Sequence, residues 1–284
     1  MIKGTIALDI DGTIAKKDCM IPSSVVEHLN QLYMDGWRFI FATGRSFTFA
    51  MSALSKLNFP FLTALHNGAD LIEMPACKLV GRVYLNLETI RELEILYKEY
   101  AEDLIVYAGF EKGDLCYFRP KRFSHNMLEY IKNLEKFSAS PWLEVQDFIA
   151  LDQTIFPMVK CVGEKSHLTS FRENISHLKY LKTCIIKEPF YDHHLLLINH
   201  INANKGAAVK KLMDLYNLKA PLIVAGDDTN DIPLLEVGDI SIAMNPAPQS
   251  LKDLADIIAP SSEDQGIIEG LQRAIQGNYE SCSK

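Results

Sequence analysis

The order of apolar runs and helical spacings predicts an α/β protein, a doubly wound parallel-sheet core carrying an inserted α+β domain. Three observations predict it. Uncharged apolar runs end directly in acids and turn residues, at "IALDIDGT" (6–13) and "LIVAGDDTND" (222–231). Segments of helical spacing alternate with such runs at both ends of the chain. Between about residues 82 and 190 that alternation gives way to antiparallel-looking strands mixed with helices.

Taken in order, residues 2–10 read as a buried strand. In "PSSVVEHLNQLYMDG" the apolar positions Val25, Val26, Leu29, Leu32 and Tyr33 fall at helical spacing, Ser23 or Ser24 is the expected cap, and Gly36 the expected stop. "WRFIFATGR" is a second strand entering a turn, "SFTFAMSALSKLN" a second helix, and "FLTALHNGADLIE" strand, turn, strand. The insert begins with the helical "NLETIRELEILYKEY", and "DLIVYAG" and "DLCYF" pair around Lys112-Gly113-Asp114. It runs on through "YLKTCIIKE" and "HHLLLIN". The helix "KGAAVKKLMDLY" then restores the α/β order, followed by "PLIVAGDD", "DIPLLEVG", "ISIAM", "DIIAP" and "GIIEGLQRAI". The expected organisation is a split core, 1–81 and 191–284, around an insert at 82–190. Internal repeats, low-complexity tracts and long linkers are absent from the sequence.

Composition excludes some classes. Thirty-six acids against 29 bases give a net charge of −7, which opposes sequence-independent binding to nucleic acid or to an anionic membrane surface. A small anionic substrate stays compatible, because a metal ion inverts the local field. No apolar run approaches the ~18 residues of a membrane span. Lys3 is followed by an acid at Asp9, unlike a secretory signal. Cys19, Cys77, Cys116, Cys161, Cys184 and Cys282 are scattered without a CxxC, the usage of reduced thiols, so a cytoplasmic protein is expected.

The chemistry gathers where apolar runs meet polar turns. Asp9 and Asp11, at i and i+2, point to one side of an extended chain, and Gly12 permits the exit. A carboxylate at a strand tip is costly to bury without a cation or donors. Asp227, Asp228 and Asp231 repeat the pattern, and Asp9, Asp227 and Asp231 make an oxygen set suited to Mg²⁺. An Asx-rich turn explains Asp228 equally well. Thr43 and Gly44 put a hydroxyl and N–H groups at a strand–helix junction, where a phosphate fits, although Thr-Gly turns are common. Lys205 opens a helix, against the dipole, and an anion would explain it. GxGxxG, a P-loop, GxSxG and a Cys/His zinc set are all missing.

"DIDGT", "ATGR", "NKGAAVKKL" and "GDDTND", in that order, resemble the four motifs of the haloacid dehalogenase superfamily. With "HNGA" (66–69) and "SIAMNPAPQSLKDLADIIAPSSEDQGIIEGL", the whole chain looks like the Cof-type sugar-phosphatase branch, with its Rossmann-like core and a cap between the second and third motifs. The resemblance implies Asp9 as nucleophile and Asp11 as acid and base. It implies Mg²⁺ held by Asp9, the Asp11 carbonyl and Asp227, and phosphate held by Thr43, Gly44 and Lys205. Asn230 and Asp231 would orient ligands or Lys205 from behind, and Arg45 and Asn67 would touch substrate. Arg119, Lys121 and Arg122 in the cap suit an anionic substrate or a solvated basic turn. Asp228 and Asn245-Pro246 depart from the branch, and Pro246 removes an N–H. The implied activity is Mg²⁺-dependent hydrolysis of small phosphorylated metabolites, phosphosugars foremost, by a monomer or small homo-oligomer. A phosphomutase and a non-catalytic metal- or phosphate-responsive binding protein are the alternatives.

Overall fold

The computed structural model describes residues 2–100, 102–138, 140–148, 150–151, 153–188 and 192–277. Along the chain the strands are β1 (Gly4–Leu8), β2 (Trp37–Ala42), β3 (Phe61–Leu65), β4 (Asp70–Met74), β5 (Lys78–Arg82), β6 (Leu85–Asn86), β7 (Leu104–Tyr107), β8 (Cys116–Phe118), β9 (Trp142–Glu144), β10 (Ile155–Phe156), β11 (Met158–Gly163), β12 (Leu181–Lys187), β13 (His194–His200), β14 (Leu222–Gly226), β15 (Ile240–Met244) and β16 (Ile257–Ala259). The helices are α1 (Ser23–Met34), α2 (Phe47–Leu54), α3 (Leu87–Tyr97), α4 (His125–Ser138), α5 (Lys165–Asn174), α6 (Lys205–Leu215), α7 (Ile232–Leu235), α8 (Gln249–Lys252) and α9 (Ile267–Gln276).

The chain divides into two compact units, one of residues 1–45, 50–81 and 204–284, the other of 46–49 and 82–203. The first is built on a sheet ordered β16-β15-β14-β1-β2-β3-β4-β5. Strands β16 through β3 run parallel, and β4 returns antiparallel to β3. Strands β1, β3, β14 and β15 are buried at every position, which is why they carry no charge and are mostly apolar. One face packs Ala7, Ile40, Ala64, Val224 and Ala243 against Val209 and Leu212 of α6 and Leu234 and Leu235 of α7. On α1, Val25, Val26, Leu29 and Leu32 are buried, as their spacing predicts. Its start differs from expectation: Pro22 precedes the first turn without a side-chain cap, and the Pro22 carbonyl accepts from Val26. Gly36 closes the helix at φ +109°, as expected.

The second unit holds a sheet ordered β12-β13-β11-β7-β8-β9, antiparallel except between β8 and β9. Helices α3 and α5 cover one face through Ile90, Leu93, Tyr97, Leu168 and Phe171. Phe123, just before α4, and Met127, Tyr130 and Ile131 of α4 cover the other. Phe118 stacks edge-on with Trp142 in that layer, so these aromatics serve packing. Arg119 is nearly buried, in a bidentate pair with Asp103 at 2.7 Å, paired also with Glu94, and lies over the Phe148 ring. It is thus a structural cation of this unit, while Lys121 and Arg122 are exposed. The expected boundary at 190/191 lies outside the described residues, as does Cys282. Residues up to 203 belong to the second unit, because β13 pairs antiparallel with both β11 and β12. Its run "HLLLINH" has the same apolar character as the parallel strands, so composition alone could not assign it.

Candidate active site

Strand register brings the sequence motifs of the first unit together. Leu8 pairs with Ala225 on one side and with Phe41 on the other. Asp9 therefore leaves β1 abreast of Gly226 and Ala42, and Asp227 and Thr43 follow on the flanking strands. All three lie at the carboxyl ends of parallel strands, the edge where such sheets collect function.

Lys205 is the first residue of α6, whose cap is Asn204, its side chain accepting from Ala207 N at 2.9 Å. The ammonium is 1% exposed and donates to Asp9 Oδ1 at 2.6 Å and to Asp231 Oδ1 at 2.5 Å. Two carboxylates thus hold a cation at the helix end where the dipole disfavours it. Asp231 also accepts from the Asp227 and Asp228 amides through Oδ2, at 2.9 and 3.2 Å. One buried side chain therefore shapes the turn after β14 and fixes Lys205.

Asp9, Asp227 and Asp231 each offer an oxygen within 4.8 Å of the others, a group able to hold a metal ion. Three carboxylates share one ammonium, so the cluster carries surplus negative charge. Burial, then Asp231, push the Asp9 carboxyl up to about 7, against the pull of Lys205. Burial, then Asp9 and Asp231, raise Asp227 well above the usual carboxylate range. Burial alone would lower Lys205, but Asp231 and Asp9 overcome it and raise the ammonium. The set is short of positive charge, and its all-oxygen donors suit a hard divalent cation such as Mg²⁺. Gly12 makes room for the Asp227 carboxylate: at φ +68°, a Cβ there would lie 1.9 Å from Asp227 Oδ2.

Asp11 is 46% exposed, and its carboxylate is paired with Arg45 rather than with the acidic group. Arg45 donates from Nε to Oδ2 at 2.8 Å and from Nη2 to Oδ1 at 2.6 Å. The Thr43 hydroxyl accepts from Arg45 N at 3.1 Å, and the Thr43 carbonyl accepts from Asn67 N at 2.8 Å. Asn67, at φ +58°, accepts from Asn230 Nδ2 at 3.3 Å, and a Cβ on Gly44 would lie 3.3 Å from its Oδ1. So Asn230 steadies Asn67, and Asp231 is the residue that steadies Lys205. Asp228 does what a turn residue does: it accepts from Thr229 N at 2.6 Å in a reciprocal cap with Asp231. Burial raises its carboxyl, opposed by the Thr229 amide. At the other departure, Asn245-Pro246 forms a turn closed by Ala247 N on the Met244 carbonyl.

Sequence reasoning missed the fully buried pair His66–Asp70, 3.0 Å apart, which brackets the turn presenting Asn67. Its signal was an i,i+4 His/Asp pair flanking Gly68, visible but not specific. It also missed the Cys19 carbonyl, which accepts from Arg45 Nη2 at 3.3 Å.

A family model described as haloacid dehalogenase-like hydrolase matches residues 6–271. The Bacillus subtilis 5-amino-6-(5-phospho-D-ribitylamino)uracil phosphatase YwtE is 23% identical over 96% of this chain and 99% of its own. A haloacid dehalogenase-like hydrolase from Bacteroides thetaiotaomicron superposes with TM-score 0.79 at 19% identity, covering 95% of this chain and 99% of that one. The HAD subclass IIB sugar phosphatase BT4131 superposes with TM-score 0.77 at 17% identity, covering 96% and 99%.

Proposed function

We propose, from the premise that this chain belongs to the haloacid dehalogenase-like hydrolase family, that it is a Mg²⁺-dependent phosphatase of small phosphorylated metabolites, phosphosugars and phosphopolyols foremost. The observation that carries the proposal is the buried Asp9–Lys205–Asp231 array with Asp227 beside it. The carboxylate proposed as nucleophile, a cation fixed by two carboxylates and an acidic group short of positive charge lie at one sheet edge. The full-length similarity to a phosphatase of a phosphorylated ribityl compound supports the substrate class.

In the proposed reaction an Asp9 carboxylate oxygen attacks phosphorus. Its O–P bond forms as the bond to the ester oxygen breaks, leaving an aspartyl-phosphate. Asp11 gives its proton to the departing oxygen, which leaves as an alcohol. Water then attacks phosphorus and passes a proton to Asp11, the Asp9 O–P bond breaks, and inorganic phosphate departs. Thr43, the Gly44 amide and Lys205 hold phosphoryl oxygens. Asp9, Asp227 and the Asp11 carbonyl would hold Mg²⁺. Bound there, the ion would offset repulsion between nucleophile and phosphate. Residues 82–203 would act as the cap, and Asn67 would contact substrate from the core. A cytoplasmic setting fits the thiol form of Cys19, Cys77, Cys116, Cys161 and Cys184, none of which is in a disulfide. It also fits the described helices, none of which is long and apolar enough to cross a membrane.

The test is phosphate release from a panel of phosphorylated sugars, polyols and the ribitylaminouracil phosphate, with Mg²⁺ and with chelator. Release that needs Mg²⁺ and vanishes in Asp9→Asn is expected. A wild type inert on the whole panel would overturn the hydrolase reading.

A further inference from the structure

Arg45 sits where a substrate contact was expected, yet the geometry gives it another task. Its side chain is 2% exposed, while that of its partner Asp11 is 46% exposed. The Nε and Nη2 groups meet both carboxylate oxygens at 2.8 and 2.6 Å, the side-on fork that fixes a carboxylate in a plane. The same Nη2 reaches the Cys19 carbonyl at 3.3 Å. Arg45 thereby joins two points of the loop after β1, Asp11 and Cys19. Cys19 stands at φ +64°, and Cys19 N donates to the Lys16 carbonyl at 2.8 Å, so the loop turns back there. The Arg45 main chain is anchored in turn, with its amide on the Thr43 hydroxyl and its carbonyl accepting from His66 N at 3.0 Å. A half-exposed carboxylate left to itself samples several rotamers. This one is held by a buried cation whose own backbone is tied to two neighbouring strand ends.

We infer that Arg45 is a positioning residue for proton transfer: it holds the Asp11 carboxylate in the orientation from which Asp11 serves the ester oxygen. The inference rests on the phosphatase reading above and deepens it. Arginine's fork occupies one lone pair on each oxygen, and each oxygen keeps a second one on which the transferred proton can sit. Arg45 itself neither gains nor loses a proton.

Substituted phenyl phosphates of similar shape, whose phenols span about three units of acidity around the ordinary phenol value, separate this role from substrate contact. The slope of log kcat/KM against leaving-group pKa measures how much help the departing oxygen needs. Because the slope compares substrates on one preparation, it is unaffected by the fraction of enzyme that is folded. The expected slope is shallow for wild type, steep for Asp11→Asn, steep for Arg45→Ala and intermediate for Arg45→Lys, which keeps one donor. For the least acidic phenol, Arg45→Ala loses on the order of 10- to 100-fold, part of the 10²–10⁴ that general acids contribute. A wild-type slope in Arg45→Ala, with every ester slowed equally, would make Arg45 a substrate contact and overturn the inference while leaving the phosphatase reading intact. Absence of turnover by the wild type would overturn both.

Discussion

Replacing Asp231 with asparagine changes almost no volume and tests the array directly. Oδ2 of Asp231 accepts two main-chain N–H groups at 2.9 and 3.2 Å, and Oδ1 faces the Lys205 ammonium at 2.5 Å. Every neighbour is a donor, and an amide supplies only one acceptor oxygen. Whichever way the amide turns, its NH₂ meets either two backbone N–H groups or an ammonium. A buried donor left without an acceptor costs about 1–3 kcal/mol, and the weakened ion pair adds to that, so we expect a loss of about 3 kcal/mol. At roughly 2–4 °C per kcal/mol for a unit of this size, the first unit should melt about 6–12 °C lower. With Lys205 held by Asp9 alone, kcat should fall on the order of 100-fold, the scale of one lost electrostatic donor. Calorimetry in chelator and steady-state phosphate release read the two effects. Asp228→Asn is the control, because its side chain accepts from the backbone N–H groups of Thr229 and Asp231 as a cap, a role asparagine fills equally well. If Asp231→Asn melts with the wild type and keeps its turnover, Asp231 does not hold Lys205 in the working enzyme.

Two further outcomes follow from the same geometry. Gly12→Ala drives a Cβ to 1.9 Å from Asp227 Oδ2 at a φ of +68°, so Mg²⁺ affinity should drop by at least about tenfold, read by titrating activity with metal. The chelated protein should lose stability as pH rises. Asp9 titrates at about 7 when folded, above an ordinary carboxylate, so its contribution is full below pH ~4 and is lost as pH climbs through 7. Asp227 shifts the same way, and Lys205, raised above its ordinary range, does not titrate in that window. Melting curves at pH 5 and pH 8 should therefore show a larger Mg²⁺-induced rise at pH 8, and an equal rise at both would refute the charge accounting.

How much of this was legible depended on range. Strands buried on both faces must be uncharged, so β1 and β14 announced themselves by ending abruptly in acids, and Asp9 and Asp227 followed. Lys205 was legible as an anomaly at a helix start. The start of α1 was misread because Ser23-Ser24 carries the composition of a cap, while the chain places Pro22 there. The partnership of Arg45 with Asp11 spans 34 residues and leaves no periodic trace. Neither does the pairing of β13 with β11 and β12, whose apolar run fits either sheet. The role of Asp231 is intermediate: its residue type was singled out, but only the fold shows that its two oxygens are taken by three donors.

Strand order also sets a timetable for the nascent chain. The neighbours of β1 are β2, which follows within a few dozen residues, and β14, more than two hundred residues later. Asp9 leaves the ribosome 196 residues before the lysine that neutralises it. At about 5–20 residues per second, some ten to forty seconds pass with Asp9 uncompensated. Through that interval one side of β1 lies open, an unpaired edge of the kind that recruits wrong partners. The second unit is translated entirely within it. The chain is therefore catalytically inert until its last third arrives, and a fragment truncated before β14 would bear the most recognisable motif of the sequence and none of its chemistry.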